Sequence, residues 1–405
     1  MTEAGMIDAL LRIARNRSQS ATQDTARSAT EVASKPVRRR EAQASDFAAV
    51  AALKTRYGLS PDCPENWHRL WRMNPALSKA KHLLPIGWVQ EAEGEIVGYM
   101  GSIPLLYRYG DQSLIAVATT CYVAEPVYRA GSLSLVGSFF RQQGVDLFLD
   151  STASPAAGKV MRAFKAEPLP QRDYDAVLFW VLNPPAFLVA AMHKMQINPG
   201  LGKIASWLGS PALRGNILFR RSWPKRTAER FSCRILSIEE IGDDFEDLWT
   251  RKVQERPRLI ASRTPEILRW HFLIPQSRRT AHALVCYHER RLVGYLILQT
   301  GLVGPLGLQK AFVADLIALH DRPEVIAELF ACAYEFAKKE GCDVLEVEGF
   351  PEEVRRVCRA WKPFSRRYPA CPFYYKTDRI PLPELLAREE SWYACPFDGD
   401  TTLSL

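Results

Sequence analysis

The segment Glu125-Pro126-Val127-Tyr128-Arg129-Ala130-Gly131-Ser132-Leu133-Ser134 puts a carboxylate, a guanidinium, small residues and hydroxyls on one short turn. The apolar run before it, 115–124, reads as a strand, and the periodicity after it predicts a helix over about 131–143. Such a turn delivers the first amides of a helix, which have no partner within the helix and sit at its positive end. Ala130 and Gly131 let a ligand approach those amides, and Arg129 adds a forked donor suited to phosphate. The chemistry implied is the capture of an anion. Asp150 closes the next predicted strand, 145–150, and Ser154-Pro155 opens the helix after it. Ser154 reads either as a polar contact to the same ligand or as a helix N-cap. Cys121 lies on the strand and reads as packing.

The elements that must position these residues occur twice. WVQEAEGEIVGYMG (88–101) and LVCYHERRLVGYLI (284–297) superimpose at a shift of 196, aligning Gly98-Tyr99 with Gly294-Tyr295. FFRQQGVDLFLD (139–150) and FAKKEGCDVLEV (336–347) align at a shift of 197. The period is too long for a solenoid and implies two copies of one ordinary domain. In the first copy a helix over FAAVAALKTRYG is followed by strands at 86–92, 95–108 and 115–124. A helix, the 145–150 strand, a helix over 155–164 and a last strand at 173–182 complete it. The second copy repeats the order, with strands at 311–319 and 343–348 around a helix at 323–340. The expected class is α/β (α+β), two tandem domains that each have a mixed central sheet flanked by helices. The expected boundaries are a flexible segment with a short amphipathic helix at 1–36, domain one at 37–182, a helical connector at 183–230, domain two at 231–380 and a tail at 381–405.

Composition narrows the class. Apolar residues make up 47% and charged residues 24%, a globular balance. The net charge of +8 is spread out and suits an anionic ligand, without a basic, aromatic-interleaved stretch for nucleic acid. The nine cysteines include no CxxC pair, and an odd count without a leader-like segment points to a reducing cytoplasm. Metal-ligand spacings are absent, so no metal is expected. The longest apolar run, 176–192, is cut by Asn183-Pro184-Pro185 and is too short on either side to cross a membrane. Residues 6–13 form one apolar side of a short basic helix, a possible peripheral docking contact.

With these motifs in place, the chain resembles a tandem member of the GNAT superfamily, the acyl-CoA-dependent N-acyltransferases. The family's pyrophosphate loop has the form Arg/Gln-x-x-Gly-x-Gly/Ala, and Arg129-x-x-Ser132-x-Ser134 is similar to it, with serine at both glycine positions. The resemblance implies acetyl-CoA or another acyl-CoA as co-substrate. Val123, Arg129, Ala130, Gly131, Ser132, Ser134 and Ser154 would contact it, and its pantetheine arm would lie between strands 115–124 and 145–150. Met161 stands where the family often carries a tyrosine that protonates the leaving thiolate, and a thioether donates no proton. The second copy has Leu319-His320-Asp321-Arg322-Pro323 at the corresponding turn, where Asp321 would repel a pyrophosphate. Cofactor binding is therefore expected in the first half.

Direct transfer to an amine requires the amine to lose a proton, which a carboxylate can take. Glu125, beside the expected thioester position, is the first candidate, with Tyr122 and Asp150 next. Asp315, Glu346 and Glu348 on the second copy's central strands could face the same cleft. The tail's Asp398-Gly399-Asp400, with Trp392-Tyr393, is expected to pack back on the second domain and bring a carboxylate near that cleft. Three functions stay open. The first is acyl transfer to a small-molecule or sugar amine. The second is aminoacyl transfer from tRNA, as in the peptidoglycan-bridge (Fem-type) enzymes that share the tandem arrangement. The third is a ligand-binding or scaffold protein that keeps the fold without the chemistry.

Overall fold

The structure is a computed structural model that describes residues 37–80, 82–194, 210–211, 213–218, 223–226, 230–303 and 307–403. The expected helix at 6–13 lies outside the described residues.

The first half contributes strands β1 (Arg38–Glu41), β2 (Gly87–Ala92), β3 (Glu95–Tyr109), β4 (Gln112–Ala124), β5 (Leu147–Asp150), β6 (Glu167–Pro168) and β7 (Ala176–Val181). Its helices are α1 (Phe47–Arg56), α2 (Pro64–Trp71), α3 (Arg129–Phe139) and α4 (Pro155–Ala163), and α5 (Pro184–Lys194) leads out of it. The second half has β8 (Phe231–Ser237), β9 (Leu259–Ala261), β10 (Arg279–His288), β11 (Arg291–Val303), β12 (Leu308–Ala318), β13 (Val344–Glu348), β14 (Phe364–Arg367) and β15 (Tyr374–Lys376). Among them lie α6 (Asp243–Val253), α7 (Pro265–Phe272), α8 (Pro323–Lys339), α9 (Glu352–Ala360) and α10 (Leu382–Leu386). No helix among the described residues is long and apolar enough to cross a membrane.

The repeated hairpins form as the two sequence copies require. Glu93 and Gly94 both take positive φ between β2 and β3, and Glu289 and Arg290 do the same between β10 and β11. That backbone twist matches the twist of the flanking strands. The repeated glycines serve close approach. A Cβ on Gly98 would lie 2.6 Å from the Gln90 amide oxygen, and one on Gly294 would lie 2.7 Å from the Ile317 carbonyl.

Sheet pairing departs from the sequence reading at the end of each copy. The first sheet runs β1-β2-β3-β4-β5-β15-β6, with β9 also paired to β3, and the second runs β14-β7-β13-β12-β11-β10-β8. The strand read as closing the first copy, β7, lies in the second sheet between β13 and β14. In exchange, β15 enters the first sheet beside β5. The physical reason is visible in AVLFWV, which is apolar at every position and buried throughout. Such a run must be covered on both faces, as an interior strand is. One continuous core consequently includes Trp67 and Leu149 of the first half, Leu268 and Leu316 of the second, and Trp392 and Phe397 of the tail. A second core under α3 and α4 contains Trp88, Phe139, Phe148, Met161 and Tyr374.

The two halves and the tail meet at Arg263, just after β9. Its Nε donates to both oxygens of Asp315 (3.0 and 3.1 Å), its Nη2 donates to Asp398 (2.9 Å), and its Nη1 donates to the Ala261 carbonyl (2.7 Å). The side chains of Arg263 and Asp315 are fully buried, and that of Asp398 is 1% exposed. Tyr295 donates to Asp315 at 2.7 Å, and the Ala261 and Cys395 amides donate to Asp398 at 3.1 and 2.9 Å. Burial works against a charge on Arg263, but the two carboxylates hold its pKa well above the usual guanidinium value. Replacing Arg263 by Met would leave two buried carboxylates without their cation. Loss of one partner of such a cluster costs about 3–5 kcal/mol, so Arg263→Met is expected to lower the urea midpoint at unchanged slope. A loss below about 1 kcal/mol would show that the cluster does not hold the halves together.

Candidate functional site

The candidate site is a fork between β4 and β5. These parallel strands pair at Ala116–Leu147, Val117–Phe148 and Ala118–Leu149, and then separate. At the point of separation β4 bulges: Gly101 pairs with Thr120 and Tyr99 with Val123, so Cys121 and Tyr122 together oppose Met100. Cys121 takes a positive φ of 52° there. A bulge takes backbone groups out of the ladder and so frees them for another partner. The same device recurs in β12, where Ile297 pairs with Asp315 and Leu298 with Val313, close to the last β12–β13 pair, Phe312–Glu346.

Helix α3 begins at Arg129 beyond the end of β4, after a 3-10 turn at Pro126–Tyr128. Arg129, Ala130 and Gly131 are exposed, so the guanidinium is open to a ligand, while the Arg129 amide already donates to the Pro126 carbonyl through the 3-10 turn. Ser132 is not. It is buried, donates to the Arg129 carbonyl (2.7 Å) and lies 2.6 Å from the Tyr122 hydroxyl. A serine has one hydroxyl hydrogen, so Tyr122 must be the donor in that contact. The Ser134 carbonyl accepts from Arg39 (3.3 Å). Val123 is buried in the ladder opposite Tyr99. Ser154 accepts from the Ala157 amide (3.2 Å), which makes it the N-cap of α4. The exposed start of α3 with Arg129 fits a pyrophosphate, whereas the Ser132 hydroxyl is already committed inside the protein.

The proton-handling candidates separate. Glu125 is ion-paired with Arg56. Tyr122 is tied to Ser132. Asp150, 6% exposed, stands at the tip of the fork, and the tail brings a second carboxylate to it. Asp400 accepts from Ser151 Oγ (2.7 Å) and Thr152 Oγ1 (3.1 Å), while its own amide donates to Ser151 Oγ (3.0 Å). Burial, then the neighbouring Asp400 charge, pushes Asp150 up to about 7. Burial also raises Asp400, against hydrogen bonds from Ser151, Thr152 and Thr120. Asp150 thus holds a proton near neutral pH beside the Asp400 carboxylate. Cys121, pushed up to about 11 by burial, stays a thiol. Met161 is 1% exposed in the core under α4, away from any role in proton transfer.

The tail was expected to pack on the second domain, and it does more than that. It clamps Arg263 through Asp398 and reaches the first half through Asp400. Gly399 makes this possible, since a Cβ there would lie 2.0 Å from Ser151 Oγ and 2.4 Å from Ser151 Cβ. The tail also fills the second fork. Tyr393 donates to the Leu316 carbonyl of β12, and Cys395 Sγ lies 3.3 Å from Asp315. At the start of α8, Asp321 accepts from Lys252 Nζ (2.7 Å) and Arg258 Nη1 (2.9 Å). Although burial opposes it, those two cations hold Asp321 below the usual carboxylate range. A carboxylate and its cations therefore occupy the place of an anion site in the second half.

The remaining carboxylates lie apart. Asp315 serves Arg263, and Glu346 pairs with Lys310 (3.1 Å) and Arg366 (3.2 Å). Glu348 accepts from Tyr368 and lines a cavity of about 260 Å³ between the halves, with Ser151, Thr152 and Ser154 opposite and Tyr174 beside it. Among the described residues no group of three His, Cys, Asp or Glu side chains is arranged to hold a metal ion. The sequence pointed to Asp150 but ranked Glu125 first, and it did not reveal that the tail's Asp400 would be Asp150's neighbour.

No family model matches the chain, and no curated protein matches it. Solved structures do. A GCN5-related N-acetyltransferase from Anabaena variabilis superimposes with a TM-score of 0.54 at 10% identity, over 85% of this chain and 74% of that one. Saccharomyces cerevisiae N-myristoyltransferase with bound myristoyl-CoA gives 0.51 at 13% identity, over 88% and 82%. A GCN5-related N-acetyltransferase from Kribbella flavida gives 0.50 at 11% identity, over 86% and 72%. The chain has the GNAT fold in tandem, two mixed sheets flanked by helices.

Two outcomes follow from the fork. Asp150 has a folded pKa above its unfolded value, so the folded state binds more protons between about pH 4 and 7. Stability is therefore highest below pH 4 as far as this group is concerned, and it falls as pH rises through 7, by up to about 4 kcal/mol. Asp150→Asn is expected to flatten that part of the stability–pH curve, measured by urea unfolding, and an unchanged slope would contradict the burial account. Gly399→Ala is expected to cost about 1–3 kcal/mol by overpacking against Ser151. Most of that loss should vanish in a Ser151→Gly background, a coupling that a double-mutant cycle reads directly.

Proposed function

We propose that the protein is an N-acyltransferase that moves an acyl group from acyl-CoA to an amine by direct attack, with its chemistry in the β4–β5 fork. The observation that carries this reading is the juxtaposition of an open, Arg129-bearing helix start with a buried carboxyl pair at one fork. Structural neighbours described as N-acetyltransferases, and one solved with myristoyl-CoA, support the same class of co-substrate.

Acyl-CoA would supply the activated acyl group and a thiolate leaving group. Arg129 and the α3 amides at Ala130 and Gly131 would hold its pyrophosphate. Backbone amides freed at the Cys121–Tyr122 bulge would face the oxygen on which negative charge develops. The acceptor would enter through the cavity between Ser151–Ser154 and Glu348, where a protonated amine meets the Glu348 carboxyl. Asp150, beside Asp400, would take a proton from the ammonium so that the neutral nitrogen can attack the thioester carbon and expel the thiolate, since a base titrating near 7 is poised for that transfer. Glu125, ion-paired with Arg56, is assigned no part in this step. A small-molecule or sugar amine suits the modest cavity, and acetyl is the simplest acyl group.

Calorimetric titration with acetyl-CoA and longer acyl-CoAs is expected to show saturable binding that weakens at least tenfold in Arg129→Ala, about 1.4 kcal/mol. Thiol release with an amine panel should then fall about 10²–10⁴-fold in Asp150→Asn. No binding of any acyl-CoA would overturn the proposal, and retention of aminoacyl-tRNA instead would move the function to aminoacyl transfer. Acyl-CoA binding without turnover of any amine would leave a ligand-binding role.

A further inference from the structure

A cluster of three cysteines lies in the second half, away from the fork. Cys233 on β8 and Cys286 on β10 are direct cross-strand partners in the antiparallel ladder. Residues so opposed have Cα atoms about 4.5–5.5 Å apart, within the range of about 4.4–6.8 Å that a disulfide spans. Their side chains share one face of the sheet. Cys332 on α8 packs against the same core beside Cys233. All three are free thiols; Cys286 is buried, while Cys233 and Cys332 are half-buried. β8 is the edge strand of its sheet, which gives solvent a route to Cys233.

The two neighbouring thiols, more than any charge, lower the pKa of the Cys233 thiol. The Cys286 and Cys332 sulfurs lie beside it, and the Arg226 guanidinium, itself bonded to Glu328 at 3.0 Å, adds positive charge. These partners hold Cys233 below the usual thiol range and raise Cys286 and Cys332. The other half-buried cysteines differ: burial raises Cys63, Cys121 and Cys371. Reactivity follows thiolate content and access together, and Cys233 combines them.

We propose that Cys233 and Cys286 form a hydroperoxide-sensitive modification site that closes to a cross-strand disulfide, with Cys332 as the neighbouring thiol. In the first step the Cys233 sulfur attacks the O–O bond of a hydroperoxide, which gives a sulfenic acid and releases water or an alcohol. In the second step the Cys286 sulfur displaces the hydroxyl from Cys233, releasing water and forming the S–S bond. Each sulfur gives up one electron, and the O–O bond takes up both. The half-buried Cys233 meets the oxidant and the buried Cys286 closes the bond. The product pins the edge strand β8 to β10.

The test treats the intact protein with limiting hydrogen peroxide and maps every cysteine by differential alkylation and mass spectrometry. Cys233 is expected to react at least about tenfold faster than Cys63, Cys121 or Cys371. The product should be a Cys233–Cys286 peptide pair that has lost two hydrogens. In Cys286→Ser the sulfenic acid should persist on Cys233 and be trapped by dimedone, and Cys233→Ser should abolish fast oxidation. Reaction of Cys233 at the rate of the three comparison cysteines, or a bond from Cys233 to Cys332, would overturn the assignment.

Discussion

The buried Arg263 guanidinium is the constraint on which the rest of the arrangement depends. A cation with no exposed surface persists only if its partners are fixed around it, and here they come from three separate stretches of chain. Asp315 belongs to β12, Asp398 to the tail, and Arg263 itself to the loop between β9 and α7. The geometry of the cluster thereby sets where the tail runs. Two residues after Asp398, the chain has reached Ser151 and Thr152 of the other half, and Asp400 is delivered to the fork. The exchange of β7 and β15 between the sheets reinforces the same union.

The two forks arise from one design and have separated in use. Both β4 and β12 bulge where the parallel pair parts, which offers backbone groups to whatever lies in the opening. In the second half the opening holds the chain's own Tyr393 and Cys395, and the helix start holds Asp321 with Lys252 and Arg258. In the first half the helix start stays exposed, and the opening receives a carboxylate. The second half thus acts as the support that places a titratable group in the first.

Much of this architecture was legible in the sequence because it rests on local rules. Alternating apolar residues, two-residue turns and helix-start signals gave most strands and helices of both copies within a few residues, but not the short strands β9, β14 and β15. The run at 176–181 declared itself an interior strand, but nothing local could say which sheet it would enter, since both offer an apolar slot. Asp398-Gly399-Asp400 was readable as an acidic turn near a cleft. Its division of labour was not, because it depends on Arg263 lying 135 residues away. The family resemblance implied Ser132 as a ligand contact, yet its hydroxyl is turned inward by Tyr122, a partner that only the strand–helix packing reveals. Cys233 and Cys286 gave no signal at all, since their opposition depends on β8–β10 register.

The tail's Asp400, delivered by the Arg263 cluster, adds to burial in raising the pKa of Asp150. Carbon-13 detection of the aspartate carboxyls across a pH titration measures this without any assumption about substrate. In the native protein one aspartate should titrate near 7, and in Asp400→Asn that titration should move toward the ordinary carboxylate range. An Asp150 titration that stays in place when Asp400 loses its charge would contradict the account.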